Sequence, residues 1–150
     1  MAVEVEIEFD TKEMRQFADQ LAQAGDKVVR RELGKFLKQE AEKQMEIVAM
    51  NTFERVPYRT GNYWSGLKIG KRYNLRDGGT YAQRVYAGKP AYHAGLVEFG
   101  HKMSGWAARG GKTRQFEGKK VFSDAHDEFQ PTFEQDAEEW VTTLLTDKLN

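Results

Sequence analysis

The sequence predicts an α+β domain in which a small antiparallel sheet packs on a long helix in the N-terminal half and on a C-terminal helix. Three observations predict it: a strand-like alternation at the N-terminus, an apolar stripe of helical spacing over residues 27–55, and a second stripe over residues 133–144. With 150 residues and no cysteine, the chain can bury a core without disulfides or zinc. We therefore expect a single domain over residues 1–150.

The first third of the chain predicts one strand and two helices. Val3 to Phe9 is apolar at every second position with glutamates between, which is typical of a half-buried strand. A capping-box pattern predicts a helix over residues 11–25. Asp26 caps a second helix, roughly 40 Å long, which Pro57 terminates. Its charged face is expected in water, and its apolar stripe comprises Val29, Leu33, Phe36, Leu37, Ala41, Met45, Val48, Ala49 and Phe53.

The middle of the chain predicts strands and loops. Residues 67–75 and 81–88 have strand composition and are joined by an Asp-Gly-Gly turn at 77–79, a hairpin signal. Residues 91–99 predict a further short strand, or a turn followed by a strand. Residues 100–120 contain five glycines and little periodicity, which predicts a long, basic, mobile loop.

The chain ends in a predicted helix. Pro131 stands at a helix-start position, and a turn of helix is expected before it, near residues 123–129. Trp140 lies on the apolar stripe of this helix and is expected in the core. The stripe comprises Phe133, Ala137, Trp140, Val141 and Leu144.

The charges are balanced in total but segregated along the chain. Residues 1–54 carry 12 acidic and 8 basic side chains, residues 55–123 carry 3 and 14, and residues 124–150 carry 8 and 1. A zero balance argues against a dedicated nucleic-acid binder and fits acidic parts that meet basic parts, within one subunit or between neighbours. The acidic N-terminus and the lack of a long apolar run predict a protein made in a cytoplasm, without a membrane partner.

The residues predict no catalytic, metal or cofactor site. A glycine-rich segment approaches a phosphate-binding loop, but five residues instead of four separate Gly105 from Gly111. The three histidines have no paired-ligand spacing. Glu98 is the only carboxylate between Asp77 and Glu117. A hydrolase that uses Glu98 and a neighbouring histidine is an alternative, although a salt bridge or a turn contact is the favoured explanation for this residue.

Basic and aromatic residues are interleaved over residues 55–84. This pattern predicts an alternative function, a nucleic-acid-binding module that neutralises phosphates and stacks on bases. The acidic C-terminal helix offers a competing explanation, because it can pair with the basic segment. The interleaved residues are Arg55, Arg59, Lys68, Lys71, Arg72, Arg76 and Arg84 among Tyr58, Tyr63, Trp64 and Tyr73.

Three short segments in fixed order resemble a known family. The first is Val-Pro-Tyr-Arg-Thr-Gly at 56–61 running into Leu-Lys-Ile at 67–69, the second is Tyr-His-Ala-Gly-Leu-Val-Glu-Phe-Gly at 92–100, and the third is Val-Phe-Ser-Asp-Ala at 121–125. Together with the long preceding helix, they resemble the gene-product-ten-like neck proteins of tailed bacteriophages, also described as tail-component or head–tail joining proteins. The resemblance covers about residues 25–149. Its motif residues are Pro57, Thr60, Gly61, Tyr92, Glu98, Phe99, Gly100 and Phe122.

The resemblance implies a structural virion protein without catalysis. It implies a homo-oligomeric ring, six- or twelve-fold, in the neck between head-closure or connector proteins and the tail terminator or tail tube proteins. Packaged DNA would pass through the lumen. Ring building needs two different surfaces that meet, and the segregated charges supply them. We expect interface residues among basic and aromatic side chains: Arg59, Trp64, Arg72, Arg84, Lys102, Trp106, Arg109, Lys112 and Arg114.

Overall fold

Two long antiparallel helices and a small antiparallel sheet make up the fold. The structure is a computed structural model that describes residues 3–8, 26–74, 81–103 and 113–149. The predicted helix over 11–25 and the predicted turn at 77–79 lie outside these ranges. The α+β prediction is confirmed. The elements are β1 Val3–Glu8, α1 Asp26–Arg55, α2 Asn62–Ser65, β2 Leu67–Ile69, β3 Tyr73–Asn74, β4 Tyr81–Ala87, α3 Ala94–Phe99, β5 Gly100–Met103, β6 Arg114–Glu117 and α4 Val121–Leu149.

Strand β4 lies at the centre of the main sheet. β1 pairs with it along one side, and β2 and β3 pair with it along the other, all antiparallel. Leu67 lies opposite Ala87, whereas Tyr73 lies opposite Ala82, so the register shifts by one residue between β2 and β3. The predicted strand at 67–75 is therefore interrupted by a bulge, which increases the local twist of the sheet.

The core lies where α1 and α4 pack on each other and on one face of the sheet. Asn51 contacts the start of α4, whereas Phe36 stacks on Trp140 near its end with ring centroids 5.0 Å apart. The two helices are therefore antiparallel, and Trp140 packs against the core as predicted. Burial of these side chains from water is the main stabilising contribution. The core includes Leu33, Phe36, Leu37, Ala41, Val48, Val85, Ala87, Val121, Phe122, Phe129, Phe133 and Leu144.

The buried face of α1 differs from the predicted stripe at its C-terminal end and in its composition. Phe53 is 77% exposed, because five residues of helix after Val48 rotate it about 140° away from that buried position. Thr52 takes the buried position instead. Glu40 and Gln44 are also buried, so the expectation that the charged face lies wholly in water is wrong.

Residues 94–99 form a helix, and the predicted strand there is wrong. Ala94 and Glu98, one helical turn apart, are the buried residues of α3. Gly100 ends the helix with φ 77° and ψ 171°, a region that is almost restricted to glycine.

The predicted structureless loop over 100–120 is wrong at both of its ends. β5 and β6 pair antiparallel, with His101 opposite Phe116 and their rings stacked at 4.8 Å between centroids. Every residue of β6 is exposed. The sequence therefore has no apolar alternation that could reveal this hairpin. Residues 104–112 lie outside the described ranges.

Helix α4 begins at Val121, ten residues before the predicted start at Pro131, and it runs through that proline. Pro131 is exposed and lies inside the helix. The start was missed because no Ser, Thr, Asp or Asn precedes it as a local cap. Its cap comes from a distant part of the chain.

Candidate functional site

The second and third motif segments meet at the start of α4, close to the end of α1. Four side chains surround residues 119–123 there: Asn51, Arg55, Glu98 and Asp124. We call this cluster the junction. It joins α1, α3 and α4, which are far apart in sequence.

Glu98 caps α4 from another element. Its carboxylate is 2% exposed. Oε2 accepts a hydrogen bond from the backbone N–H of Phe122 at 3.0 Å, and Oε1 accepts one from that of Ser123 at 2.8 Å. A carboxylate at this position satisfies unpaired N–H groups of the first turn and interacts favourably with the helix dipole. Both oxygens hold the helix, so the geometry gives Glu98 a structural role and offers nothing to the hydrolase hypothesis.

Arg55 and Asn51 fix the same turn from the side of α1. The Nη1 atom of Arg55 donates to the carbonyls of Lys119 and Lys120 at 3.0 and 3.1 Å and to Asp124 Oδ2 at 2.6 Å. The Asn51 amide donates to the Val121 carbonyl at 3.1 Å. The bonds from the Arg55 guanidinium are charge-assisted and are therefore stronger than the neutral bond from Asn51.

The hairpin β5–β6 leaves and rejoins the junction at two glycines. A Cβ on Gly100 would overlap the carbonyl oxygen of Phe116, and one on Gly118 would overlap that of Glu98. The backbone continues from Gly118 into a bond from Lys119 N–H to the Val97 carbonyl at 2.7 Å. The two ends of the hairpin therefore lie against each other.

The first motif forms the turn between α1 and α2. Pro57 and Thr60 are exposed, and Gly61 has φ 76°, a left-handed conformation that glycine adopts at little cost. Tyr63 in α2 is buried, and its hydroxyl has no hydrogen-bond partner among the described residues. Burial raises the pKa of Tyr63, and the negative charge of Glu98 raises it further. The turn thus brings the first motif within electrostatic reach of the junction.

Exposed apolar side chains surround the junction on the outside. One cleft is lined by Phe53, Tyr58 and Trp64 together with Arg55. A second cleft is lined by Phe99 and Phe116 with His101, Lys102 and Lys120. The bond from Arg55 to the Lys120 carbonyl connects the two clefts. We call this region the apolar surface and define it as Met50, Phe53, Tyr58, Leu96, Phe99 and Phe116, which are 60%, 77%, 75%, 52%, 78% and 44% exposed.

The predicted interface residues do not gather on one surface. Arg59, Lys102 and Arg114 are exposed near the apolar surface, and Trp64 is half-buried in its first cleft. Trp106, Arg109 and Lys112 lie outside the described residues.

Two other predicted interface residues belong to the sheet. Arg72 donates to the Arg30 carbonyl at 2.7 Å, near the opposite end of α1. Arg84 lies 4.8 Å from the ring centroid of Tyr73. Both side chains are used within the subunit.

The sequence did not predict that most side chains of the apolar surface are exposed. Phe53 was assigned to the core stripe, and Phe116 to a loop. Tyr92, a motif residue, is also 71% exposed. Nothing in the sequence warned of the exposure of Phe53, because it follows Ala49 of the same stripe by four residues, a regular helical step. No signal existed for Phe116, whose partner strand was not recognisable.

Comparison with known proteins identifies the family. The profile of the family described as "Bacteriophage HK97-gp10, putative tail-component" matches residues 15–100, more than half of the chain. The chain belongs to this family. No curated protein and no solved structure is significantly similar to it. Membership makes the protein a structural component of a phage virion.

No group of three or more His, Asp or Glu side chains among the described residues could hold a metal ion. None of the helices there combines the length and the apolar composition that crossing a bilayer demands.

Proposed function

We propose that this protein is a neck component that joins the DNA-filled head to the tail. In this proposal six or twelve copies form a ring, head-closure or connector proteins contact one side of it, and tail terminator or tail tube proteins contact the other. Packaged DNA passes through the lumen. The observation that carries the proposal is the match of residues 15–100 to a phage tail-component family.

The geometry supports a structural role. Glu98 and Phe122, two of the motif residues, hold the start of a helix against α1. Next to them, Phe99 and Phe53 are more than three quarters exposed. Large apolar patches on a protein surface mark sites of contact with other molecules. A rigid junction beside an exposed apolar surface is what an assembling subunit requires.

Inactivation of the gene in the parent phage or prophage tests the proposal. We expect electron micrographs of the lysate to show DNA-filled heads and finished tails that are separate. Intact virions in that lysate would overturn the neck role. Complementation with the unmodified gene should restore joined particles, which controls for effects on neighbouring genes.

Deletion of residues 102–118 tests the contribution of the hairpin. We expect a folded chain that fails to join heads to tails, because the bonds from Lys119 and Lys120 to α3 lie outside the deleted segment. Circular dichroism checks the fold, and particle counts check joining. Infectious particles from this variant would mean that the hairpin takes no part in the contact.

Binding of nucleic acid is the second candidate function. The observation in its favour is a shallow cleft on the sheet lined by Lys71, Tyr73, Arg84 and Tyr86. The register of β1, however, pairs Glu6 with Arg84 on the neighbouring strand. This candidate predicts duplex binding with a steep salt dependence that Lys71→Ala reduces. Binding that is absent at low salt would exclude it.

A further inference from the structure

We propose that the apolar surface of one subunit, with the cations around it, docks on the acidic outer face of α4 of a second copy of this chain. The proposal rests on the proposed function and deepens it, because it names the two surfaces that meet in the ring. The acidic face is defined as Asp127, Glu128, Glu134, Glu138 and Glu139, all exposed.

The apolar surface needs a partner. Two phenylalanines in it are more than three quarters exposed, and four further apolar side chains are between 44% and 75% exposed. Phe53 and Tyr58 line the first cleft and Phe99 and Phe116 the second, whereas Met50 and Leu96 each precede one of these phenylalanines by three residues on its helix. Removal of such atoms from water stabilises a complex and opposes the cost of association. Aromatic anchors of this kind dominate the binding energy of interfaces.

The surroundings of the apolar surface are predominantly basic. Two of the exposed cations, Lys102 and Lys120, line its second cleft, and the exposed carboxylates there are Glu54 and Glu117, with Glu46 one helical turn before Met50. The exposed cations around the surface are Arg59, Lys102, Arg114, Lys119 and Lys120. A partner with negative charge is therefore favoured over a neutral or basic one.

The acidic face of α4 has that charge, and no Lys or Arg of the described residues pairs with it. Asp124 and Asp136 are used internally, in ion pairs with Arg55 at 2.6 Å and with Lys43 at 2.6 Å. The five carboxylates of the acidic face have no Lys or Arg within 4.0 Å among the described residues. The sequence has no Lys or Arg from Val121 to Asp147. This leaves a long face of one sign.

The two surfaces are different, so their contact is heterologous. A pair of subunits joined in this way keeps one free surface of each kind and adds further copies until the assembly closes. Contact of either surface with its own copy is disfavoured, because like charges would then face each other. Repeated contacts between the two different surfaces generate a ring when the rotation between neighbours closes.

The test is a charge swap followed by sedimentation of the full chain over a range of concentrations at low salt. One variant carries Lys119→Glu and Lys120→Glu, and the other carries Glu134→Lys and Glu138→Lys. We expect each to associate at least tenfold more weakly than the wild type. A mixture of the two should recover association, because every contact then pairs opposite charges. Lys38→Glu with Lys71→Glu, two exposed cations that belong to neither defined surface, is the matched control and should behave as the wild type.

Apolar contact is tested separately with Phe99→Ser. The side chain is 78% exposed, so the fold should not change, and we expect association to weaken at least tenfold. A wild-type chain that stays monomeric at every concentration overturns the proposal. So does a duplex DNA probe that binds through Lys119 and Lys120 in place of a second copy, or a mixture that fails to recover.

The outcomes separate this proposal from the neck role. If virions require the gene but the four charge substitutions do not change self-association, the proposed docking surfaces are wrong and the neck role stands. Recovery of association by the charge swap, in a phage that forms intact virions without the gene, supports the surfaces and overturns the neck role.

Discussion

Glu98 and Glu40 are two buried carboxylates in different regions of the molecule, and each is 2% exposed. Glu98 at the junction accepts a backbone N–H on each oxygen. Glu40, in the middle of the α1–α4 contact, binds Lys43 through Oε1 at 2.9 Å, while its Oε2 has no hydrogen-bond partner in the part of the chain that the structure describes. Burial raises the pKa of Glu40, although Lys43 opposes the rise. The contribution of a buried carboxylate to stability therefore depends on whether both of its oxygens are hydrogen-bonded.

The largest expected effect is that of Glu98→Ala. The change leaves two N–H groups at the start of α4 without acceptors, so we expect the free energy of unfolding to fall by about 3 kcal/mol. Urea denaturation followed by circular dichroism measures it. Glu117→Ala, at an exposed glutamate of the adjoining hairpin, is the control and should change stability by less than about 0.5 kcal/mol. A loss below about 1 kcal/mol for Glu98→Ala would contradict the capping role.

Gly100→Ala tests whether the element that carries Glu98 must end as it does. Gly100 has φ 77°, and a Cβ there would overlap the Phe116 carbonyl oxygen. We expect a loss of about 2 kcal/mol in the same assay. Gly70→Ala is the matched control, because a Cβ at Gly70 would meet its neighbours at 3.5 Å, an ordinary contact. Equal losses for the two variants would show that the conformation of Gly100 does not matter.

Glu40→Gln probes the other side of the comparison. Since the pKa of Glu40 is raised in the folded chain, the protonated form is favoured by folding. The resulting stabilisation is present below the ordinary value of 4.5 and is lost as the pH rises through the folded-state pKa. We therefore expect wild-type stability, relative to Glu40→Gln, to decrease between pH 4 and pH 7. At pH 7 the variant should equal the wild type or exceed it by up to about 1 kcal/mol.

Urea denaturation at several pH values measures this difference. Glu42→Gln, exposed on the same helix, is the control for a change of charge on α1. A wild type that gains stability relative to Glu40→Gln as the pH rises would contradict the burial penalty at Glu40.

The smallest expected effect is that of Tyr63→Phe, which removes a buried hydroxyl that no described residue hydrogen-bonds. We expect a change within about 0.5 kcal/mol at pH 7, towards higher stability. The raised pKa of Tyr63 means that the wild type loses stability as the pH rises above the ordinary value of 10.0. Tyr63→Phe should lose less between pH 9 and pH 11. Tyr58→Phe, at an exposed tyrosine, should follow the wild type, and the prediction fails if the two variants behave alike.

Much of the fold was predictable because long helices and an alternating strand have periodic patterns. β1, α1 and the paired strands β2 and β4 followed from such patterns. The start of α4 was not predictable, because Glu98 stands well before the residues that it caps. The hairpin β5–β6 was not predictable either, because it buries no apolar face. The apolar surface was not predictable for a related reason. Whether a phenylalanine is buried or exposed depends on the elements that pack around it, which the local sequence does not show.

The back-to-back glycines at the base of the hairpin have a consequence for how the protein can vary. Gly100 and Gly118 lie against each other, so the segment between them begins and ends at the same place in the fold. Its length can change without moving α4, since loop closure depends only weakly on length. The match to the family ends at residue 100, where this segment begins. An epitope inserted in the hairpin should therefore leave the packing of the two long helices unchanged.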